Sequence, residues 1–241
     1  MNECELSYID RVEIDIEKAN AQHGAYEDCL RAMGMDVTAL PAEPGMPDSV
    51  FVEDPAILLD EIAVITRPGA ASRRAEGETL AAALAHVRPL ARITAPATLE
   101  GGDVMRIDKT LYVGASARSN AEGVKQLAEI LRPFDYTVKS VNVRGCLHLK
   151  SGCTYLGEGM VLANRDWIDA AALEGLTIVE VARDEPHAAN VLTLDGAALM
   201  PDCFPHTAAI VESLGWKVRT VDISELRKAE AGVTCSSLIF R

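Results

Sequence analysis

A polar start followed by the same succession of elements recurs every forty-odd residues along this chain, and that period restricts the fold more than any other feature. The starts fall at Glu53-Asp54, Glu100, His148 and Asn190, separated by 47, 48 and 42 residues. Each heads a short apolar strand, and a second strand, a loop, a helix and a third strand follow. In the first unit the pattern predicts strands at 56–59 and 62–66, a helix at 75–87 and a strand at 91–93. In the second it predicts strands at 104–107 and 111–113, a helix at 120–131 with Asn120 as its N-cap, and a strand at 137–143. The third unit places strands at 153–156, 160–163 and 177–181 around a helix at 167–173. The fourth places them at 191–194, 197–200 and 217–221 around a helix at 206–214.

A fifth start, Thr234-Cys235, comes 44 residues after Asn190, with room for only one strand, 236–240. The missing helix and strand stand at the other end of the chain. Ile16, Ala19, His23, Tyr26, Leu30 and Met33 step by three and four, as one face of a helix does. Asp15 is placed to cap it, Gly34 to end it, and a strand at 37–40 follows. The two ends then complete one unit between them. The expected fold class is α/β: a five-fold pseudo-symmetric α/β propeller of ββαβ units, one domain over residues 1–241. One strand of the fifth unit is unaccounted for. The favoured reading is that a first N-terminal strand is lacking; the alternative is that residues 4–9 serve in its place. An open doubly wound sheet also alternates strands and helices. It would not place a hairpin before each helix, and no Gly-rich phosphate loop follows the first strand.

Composition narrows the function classes. With 49% hydrophobic residues in 241, the chain can bury a sizeable core, and with 5% aromatics Ala, Val, Leu and Ile must fill it. A net charge of -13 opposes binding to nucleic-acid phosphates and suits a cationic small molecule. No apolar run approaches the ~20 residues of a membrane span, and residues 1–10 carry charges where a signal peptide would be apolar. Six cysteines stand without a CxxC pair or a zinc spacing. The expectation is a cytoplasmic protein with free thiols, no membrane and no nucleic-acid partner.

Chemistry-bearing residues sit at the unit starts: Glu53, Asp54, Glu100, Asp103, His148 and Cys235. Equivalent positions in a ring face a common axis, so these would converge. Carboxylates accept paired hydrogen bonds from a planar cation such as a guanidinium. Its carbon is a poor electrophile, which calls for a thiolate, and a histidine moves the protons.

Five segments resemble the dimethylarginine dimethylaminohydrolase family of the guanidine-modifying (pentein) superfamily. They are D-S-V-F-V-E-D at 48–54, I-T-R-P-G-A-A-S-R-R at 65–74, L-E-G-G-D-V at 99–104, G-C-L-H-L-K-S at 145–151 and G-V-T-C-S at 232–236. The likeness runs from about Leu6 to the end. It implies the five-bladed α/β propeller shared with arginine deiminases and amidinotransferases. It implies hydrolysis of Nω-methylated arginine to citrulline and methylamine or dimethylamine through a covalent thiouronium. It makes Cys235 the nucleophile, His148 the general acid and then base, and Glu100 the group that holds His148. Asp54, supported by Glu53, binds the guanidinium. Arg73 and Arg118, the latter in the A-R-S-N stretch at 117–120, bind the α-carboxylate, Asp48 the α-ammonium, and Leu6 is a lid residue. No metal or organic cofactor is implied, and the partner is a small molecule; a homo-oligomer is compatible with it. The chain departs from the family in one inserted residue, which sets Cys146 two residues before His148, and in the N-terminal strand.

Two other readings stand beside this one. An arginine deiminase-like hydrolase would act on another guanidine or ureido compound, and a non-catalytic propeller would only bind arginine derivatives. Among the remaining residues, His23 reads as packed in a helix face, and Cys29 and Cys203 as core thiols. Gly101-Gly102 reads as a turn that also lets Glu100 and Asp103 approach the axis. A reactive Cys235 is expected to be sensitive to oxidation, and Cys146 is a conceivable disulfide partner for it.

Overall fold

The computed structural model describes residues 1–240. After an irregular strap, helix α1 (Ile16–Ala32) is capped by Asp15, whose carboxylate accepts from the Lys18 N–H at 3.0 Å. It ends in a Schellman motif: Gly34 takes φ +90°, and the N–H groups of Gly34 and Met35 return to the Arg31 and Leu30 carbonyls. The face it buries carries Ala19, Gln22, Tyr26 and Leu30. Gln22 thus takes the place expected of His23, which is half-exposed beside Glu27.

Four three-stranded sheets follow. The first contains β1 (Ala56–Leu58) and β2 (Ala63–Ile65), then helix α2 (Gly77–Leu84) and β3 (Leu90–Arg92). The second contains β4 (Val104–Ile107), β5 (Thr110–Ala115), helix α3 (Ala121–Leu131) and β6 (Thr137–Asn142). A one-turn helix α4 (Leu149–Gly152) leads into the third, β7 (Cys153–Gly157), β8 (Met160–Ala163) and β9 (Thr177–Glu180). The fourth contains β10 (Leu192–Leu194), β11 (Ala197–Pro201), helix α5 (Pro205–Ser213) and β12 (Lys217–Val221), and helix α6 (Ser224–Arg227) closes the series. In every sheet the first two strands pair antiparallel and the third returns parallel beside the second. The central strands are the apolar ones; the third strands are mostly exposed and lie on the rim.

Turn chemistry accounts for the hairpins. Glu158-Gly159 and Asp195-Gly196 both take positive φ at two successive residues, the geometry of a two-residue turn that matches strand twist. Asn120 caps α3 as expected, accepting from Gly123 N–H at 2.9 Å. One expected helix is tighter than anticipated: the third unit has only a 3-10 turn (Ala170–Leu173) where a helix at 167–173 was expected, and a 3-10 helix (Ala71–Ala75) that was not expected precedes α2.

The fifth sector differs from its expectation. Among the described residues, neither 37–40 nor 236–240 forms a strand, so this sector has α1 and α6 but no sheet. Both segments lack a second strand to pair with, and a lone strand leaves its backbone groups unsatisfied. Apolar clusters fill the spaces between these elements and the chain ends. Val64, Leu111, Val113 and Leu131 lie between the first and second sheets, and Met105, Tyr112, Cys153 and Val161 between the second and third. Leu156, Leu162, Val191 and Met200 lie between the third and fourth. Leu199, Ile223, Leu226, Tyr26 and Val233 join the fourth to α1, and Ile65, Leu80 and Leu84 receive Leu238 from the chain end. Among the described residues, no helix is long and apolar enough to cross a membrane.

Candidate active site

The unit starts meet in a closed circuit of hydrogen bonds. Gly101 N–H donates to the Asp54 carbonyl at 2.8 Å, and Leu149 N–H to Asp103 Oδ1 at 2.9 Å. The Asn190 amide donates to the Lys150 carbonyl at 2.9 Å and to Thr234 Oγ1 at 3.0 Å. Glu53 N–H then donates to the Cys235 carbonyl at 3.1 Å, which closes the ring. Residues up to 181 positions apart are thereby held at one axis.

His148 heads α4 in extended backbone and points its ring at two carboxylates. Nε2 lies 2.7 Å from Glu100 Oε2, and Nδ1 lies 3.9 Å from Asp54 Oδ1. All three residues are buried. Burial disfavours the imidazolium, but Asp54, the Glu100 hydrogen bond and Asp103 outweigh it and lift His148 to about 9. Asp54 is held below the usual range although burial opposes it, because His148, Arg73 and Lys150 surround it with positive charge. Asp103 is buried but receives Ser116 Oγ and Ser119 Oγ at 2.6 Å each, and it aims α4 through the Leu149 N–H.

Gly102 makes this crowding feasible. It lies in a 3-10 turn (Gly101–Asp103) without entering the left-handed region, so the need is the close approach that the sequence also suggested and not a positive φ. A Cβ there would lie 2.6 Å from His148 Nδ1, and one on Gly101 would lie 1.9 Å from the Glu53 carbonyl.

Cys235 is half-buried at the end of the segment that follows α6, and its Sγ accepts from Gly232 N–H at 3.3 Å. Removal from water, then Glu53 and Asp54, push its thiol up to about 12; the Gly232 N–H and Lys150 act the other way. Cys235, His148, Glu53, Gly102 and Lys150 open onto one cavity of about 170 Å³, whose outer wall includes Trp167 and Phe204.

Asp48, Arg73 and Arg118 lie outside that cavity's lining, in an adjoining buried network. Arg73 NH1 donates to Asp54 Oδ2 at 2.7 Å and lies 4.0 Å from Glu100, while its other nitrogens hold Glu76. The Asp54–Glu100–His148 cluster, with ligand-type atoms within 4.8 Å of one another, therefore has a planar cation against it. Arg118 lies 3.5 Å from Glu100 Oε1 and donates to Ser7 Oγ at 3.1 Å. Asp48 accepts from Glu5 N–H at 3.1 Å. Leu6, between those two strap contacts, packs half-buried against the cluster that also takes Cys235.

Sequence reasoning gave no role to Lys150, Thr234 or Asn190. Lys150 pairs with Glu53, and Thr234 Oγ1 donates to Glu53 Oε2 at 2.8 Å. The signal available was position: Asn190 and Thr234 are themselves unit starts. Cys146 lines the cavity as a neutral thiol, raised to about 12 by burial and Asp103, and it contacts the His148 carbonyl at 3.4 Å. Cys203 is exposed, contrary to its expected place in the core, and touches Arg227.

Comparison with known proteins bears on what this arrangement does. A family model described as N,N dimethylarginine dimethylhydrolase, eukaryotic, matches residues 2–198. The N(G),N(G)-dimethylarginine dimethylaminohydrolase of Pseudomonas aeruginosa is 40% identical over 94% of this chain and 90% of its own length. The Streptomyces coelicolor protein of the same name is 37% identical over 98% and 91%. Among solved structures, a cysteine-to-serine mutant of the Pseudomonas aeruginosa enzyme complexed with citrulline superposes with a TM-score of 0.93 at 38% identity, covering 98% of this chain and 93% of that one. The N-terminal domain of ArgZ, an arginine dihydrolase of cyanobacteria, shares the fold with a TM-score of 0.85 at 20% identity, covering 93% of this chain and 86% of its own.

Proposed function

The chain belongs to the dimethylarginine dimethylaminohydrolase family, and from that premise we propose that it hydrolyses Nω-methylated arginine to citrulline and methylamine or dimethylamine. The observation that carries the reading is the opening of Cys235, His148 and Glu53 onto one cavity, with Asp54 and Glu100 against the imidazole.

With Cys235 as nucleophile, the resting thiol is neutral at pH 7 and His148 is protonated. Glu53 and Asp54 oppose a thiolate; a guanidinium brought against them cancels that opposition, so the substrate itself favours ionisation of the thiol, whose proton passes to water. The thiolate adds to the guanidinium carbon and forms the C–S bond. The C–N bond to the methylated nitrogen then breaks, and His148 gives its proton to the departing amine. A water loses a proton to the now neutral His148 and adds to the thiouronium carbon. The C–S bond breaks and the sulfur keeps its electron pair; the hydroxyl proton on the former guanidinium carbon leaves as the carbonyl forms, the thiolate is reprotonated and citrulline is released. Glu100, 2.7 Å from Nε2, holds the imidazole through both transfers.

Arg73 and Arg118 are assigned the α-carboxylate and Asp48 the α-ammonium. In the structure Asp54 and Glu76 hold Arg73, Glu100 and Ser7 hold Arg118, and the Glu5 N–H holds Asp48, so substrate exchanges part of that set and Leu6, on the same strap, moves with it. No organic cofactor or metal enters any step.

The test is citrulline release from asymmetric dimethylarginine, monomethylarginine and arginine, by the wild-type chain and by Cys235→Ser. Turnover of the methylated compounds that the variant loses supports the reading. Equal or better turnover of arginine, or activity that survives in Cys235→Ser, overturns it.

A further inference from the structure

Cys235 sits beside a buried carboxylate that works against its thiolate, and the structure balances that carboxylate. Glu53 is buried, and both of its oxygens are taken: Oε1 by the Lys150 ammonium, Oε2 by the Thr234 hydroxyl at 2.8 Å. The direction of the second bond is fixed, because the Asn190 amide donates to Thr234 Oγ1 at 3.0 Å and leaves that hydroxyl to donate onward. Asn190 also accepts from Thr234 N–H at 3.1 Å and donates to the Lys150 carbonyl at 2.9 Å. One amide thus fixes the residue before Cys235 and the backbone that presents Lys150. A side chain on Gly232 would lie 2.2 Å from the Asn190 Oδ1, so the nucleophile's turn is built against this amide.

We propose that Lys150 is a positioning residue for the nucleophile: its ammonium neutralises Glu53 and so permits Cys235 to ionise, while Asn190 holds the two parts in register. The inference rests on Cys235 being the nucleophile. A buried charge left unpaired would either take up a proton or repel the sulfur. The charged and titratable groups that face Cys235 come from several elements. They are Glu53 and Asp54 from the first unit start, His148 and Lys150 around α4, Tyr26 from α1, and Tyr8, Cys146, His187, Arg227 and Glu230 on the cavity wall. Lys150 pairs with Glu53 directly, so its removal acts on the carboxylate that accepts from Thr234, the residue before the nucleophile, while the Glu53 backbone N–H bonds the Cys235 carbonyl.

The experiment needs no guanidine substrate. The rate at which iodoacetamide alkylates Cys235, identified by the mass of its peptide, is followed against pH in four proteins: wild type, Lys150→Met, Lys150→Arg and Lys150→Met/Glu53→Gln. Gln at 53 keeps an acceptor for Thr234 and removes the charge. Lys150→Met is expected to slow alkylation about tenfold at neutral pH, as a one-unit rise in the thiol pKa does. Lys150→Arg is expected to stay near wild type, and the double variant to recover the wild-type rate. A wild-type profile in Lys150→Met overturns the proposal. So does a double variant as slow as the single one, because Lys150 would then be acting through packing and not through Glu53. A chain that turns over no methylated arginine would still give this profile, so failure of the functional reading is distinguishable from failure of this one.

Discussion

A methyl group on Gly102 would lie 2.6 Å from His148 Nδ1 and 2.7 Å from Asp54 Oδ1. The imidazole cannot yield without leaving Glu100, because Nε2 is already 2.7 Å from that carboxylate. Gly102→Ala is therefore expected to lower kcat about a hundredfold, the usual cost of an ångström-scale displacement of a catalytic group. Steady-state kinetics alongside circular dichroism checks that the loss is catalytic and not global; activity within a factor of a few of wild type would contradict the geometry. His148 also ties stability to pH. Its folded value of about 9 exceeds the ordinary 6.5, so its contribution is complete below about pH 6.5 and is lost as pH rises through about 9. The shift corresponds to about 3 kcal/mol. Urea midpoints across that window should fall in the wild type and flatten in His148→Asn. The catalytic candidates were legible because each stands in a motif at a unit start. The roles of Lys150 and Thr234 were not, since they depend on which side chains oppose Glu53 across 97 and 181 residues of sequence. His23 was misplaced for a related reason: periodicity gives a helix its apolar face to within about one residue, and Gln22 holds that position.

The second unit shows how an element can be read from local chemistry alone. Asn120 has one side-chain oxygen that caps α3 at Gly123 and also accepts from Thr98 N–H at 3.1 Å, and its amide donates to the Pro96 carbonyl at 3.2 Å. Asn120→Ala is expected to cost about 1–2 kcal/mol, the upper part of the range for an N-cap. Thermal unfolding measures it, with Glu122→Ala on the same helix as the comparison that should change little. Asp195-Gly196 and Asn120 signal a hairpin and a helix start without any tertiary information, so boundaries in these units agree to within two residues. The fifth sector had no such signal. Its two would-be strands, 37–40 and 236–240, lie at opposite ends of the sequence, and a strand forms only when a partner satisfies its backbone. Sequence pattern supplied the apolar residues, as Leu238 packing against Leu84 and its neighbours shows, but not the pairing.

At the scale of the molecule the two chain ends share one task, which is to close the ring over the site. Tyr26 reaches Ser237, Glu225 accepts from the Asp15 N–H, and Lys228 donates to the Glu13 carbonyl. The strap that precedes α1 is fastened by Glu230, which stands in the left-handed region at φ +61°. Its carboxylate accepts from three successive backbone N–H groups, Ser7 at 2.9 Å, Tyr8 at 2.5 Å and Ile9 at 3.1 Å. Such a nest of N–H groups binds a carboxylate well, and this one lies five residues before Cys235. Tyr8, Ile9 and Glu230 all line the cavity, and Leu6 is adjacent to the fastened residues. Glu230→Ala removes the anion and leaves three N–H groups to water, so the strap should open more often. Substrate would still meet an intact Cys235 and His148, but over a looser cover. The expected result is a KM raised about tenfold, equivalent to 1.4 kcal/mol, with kcat changed far less. Limited proteolysis supplies the independent reading: cleavage within residues 4–12 should quicken in Glu230→Ala and slow again when substrate is added. Unchanged KM together with unchanged cleavage would mean that the remaining strap contacts, Asp48 to Glu5 and Arg118 to Ser7, suffice to hold it down.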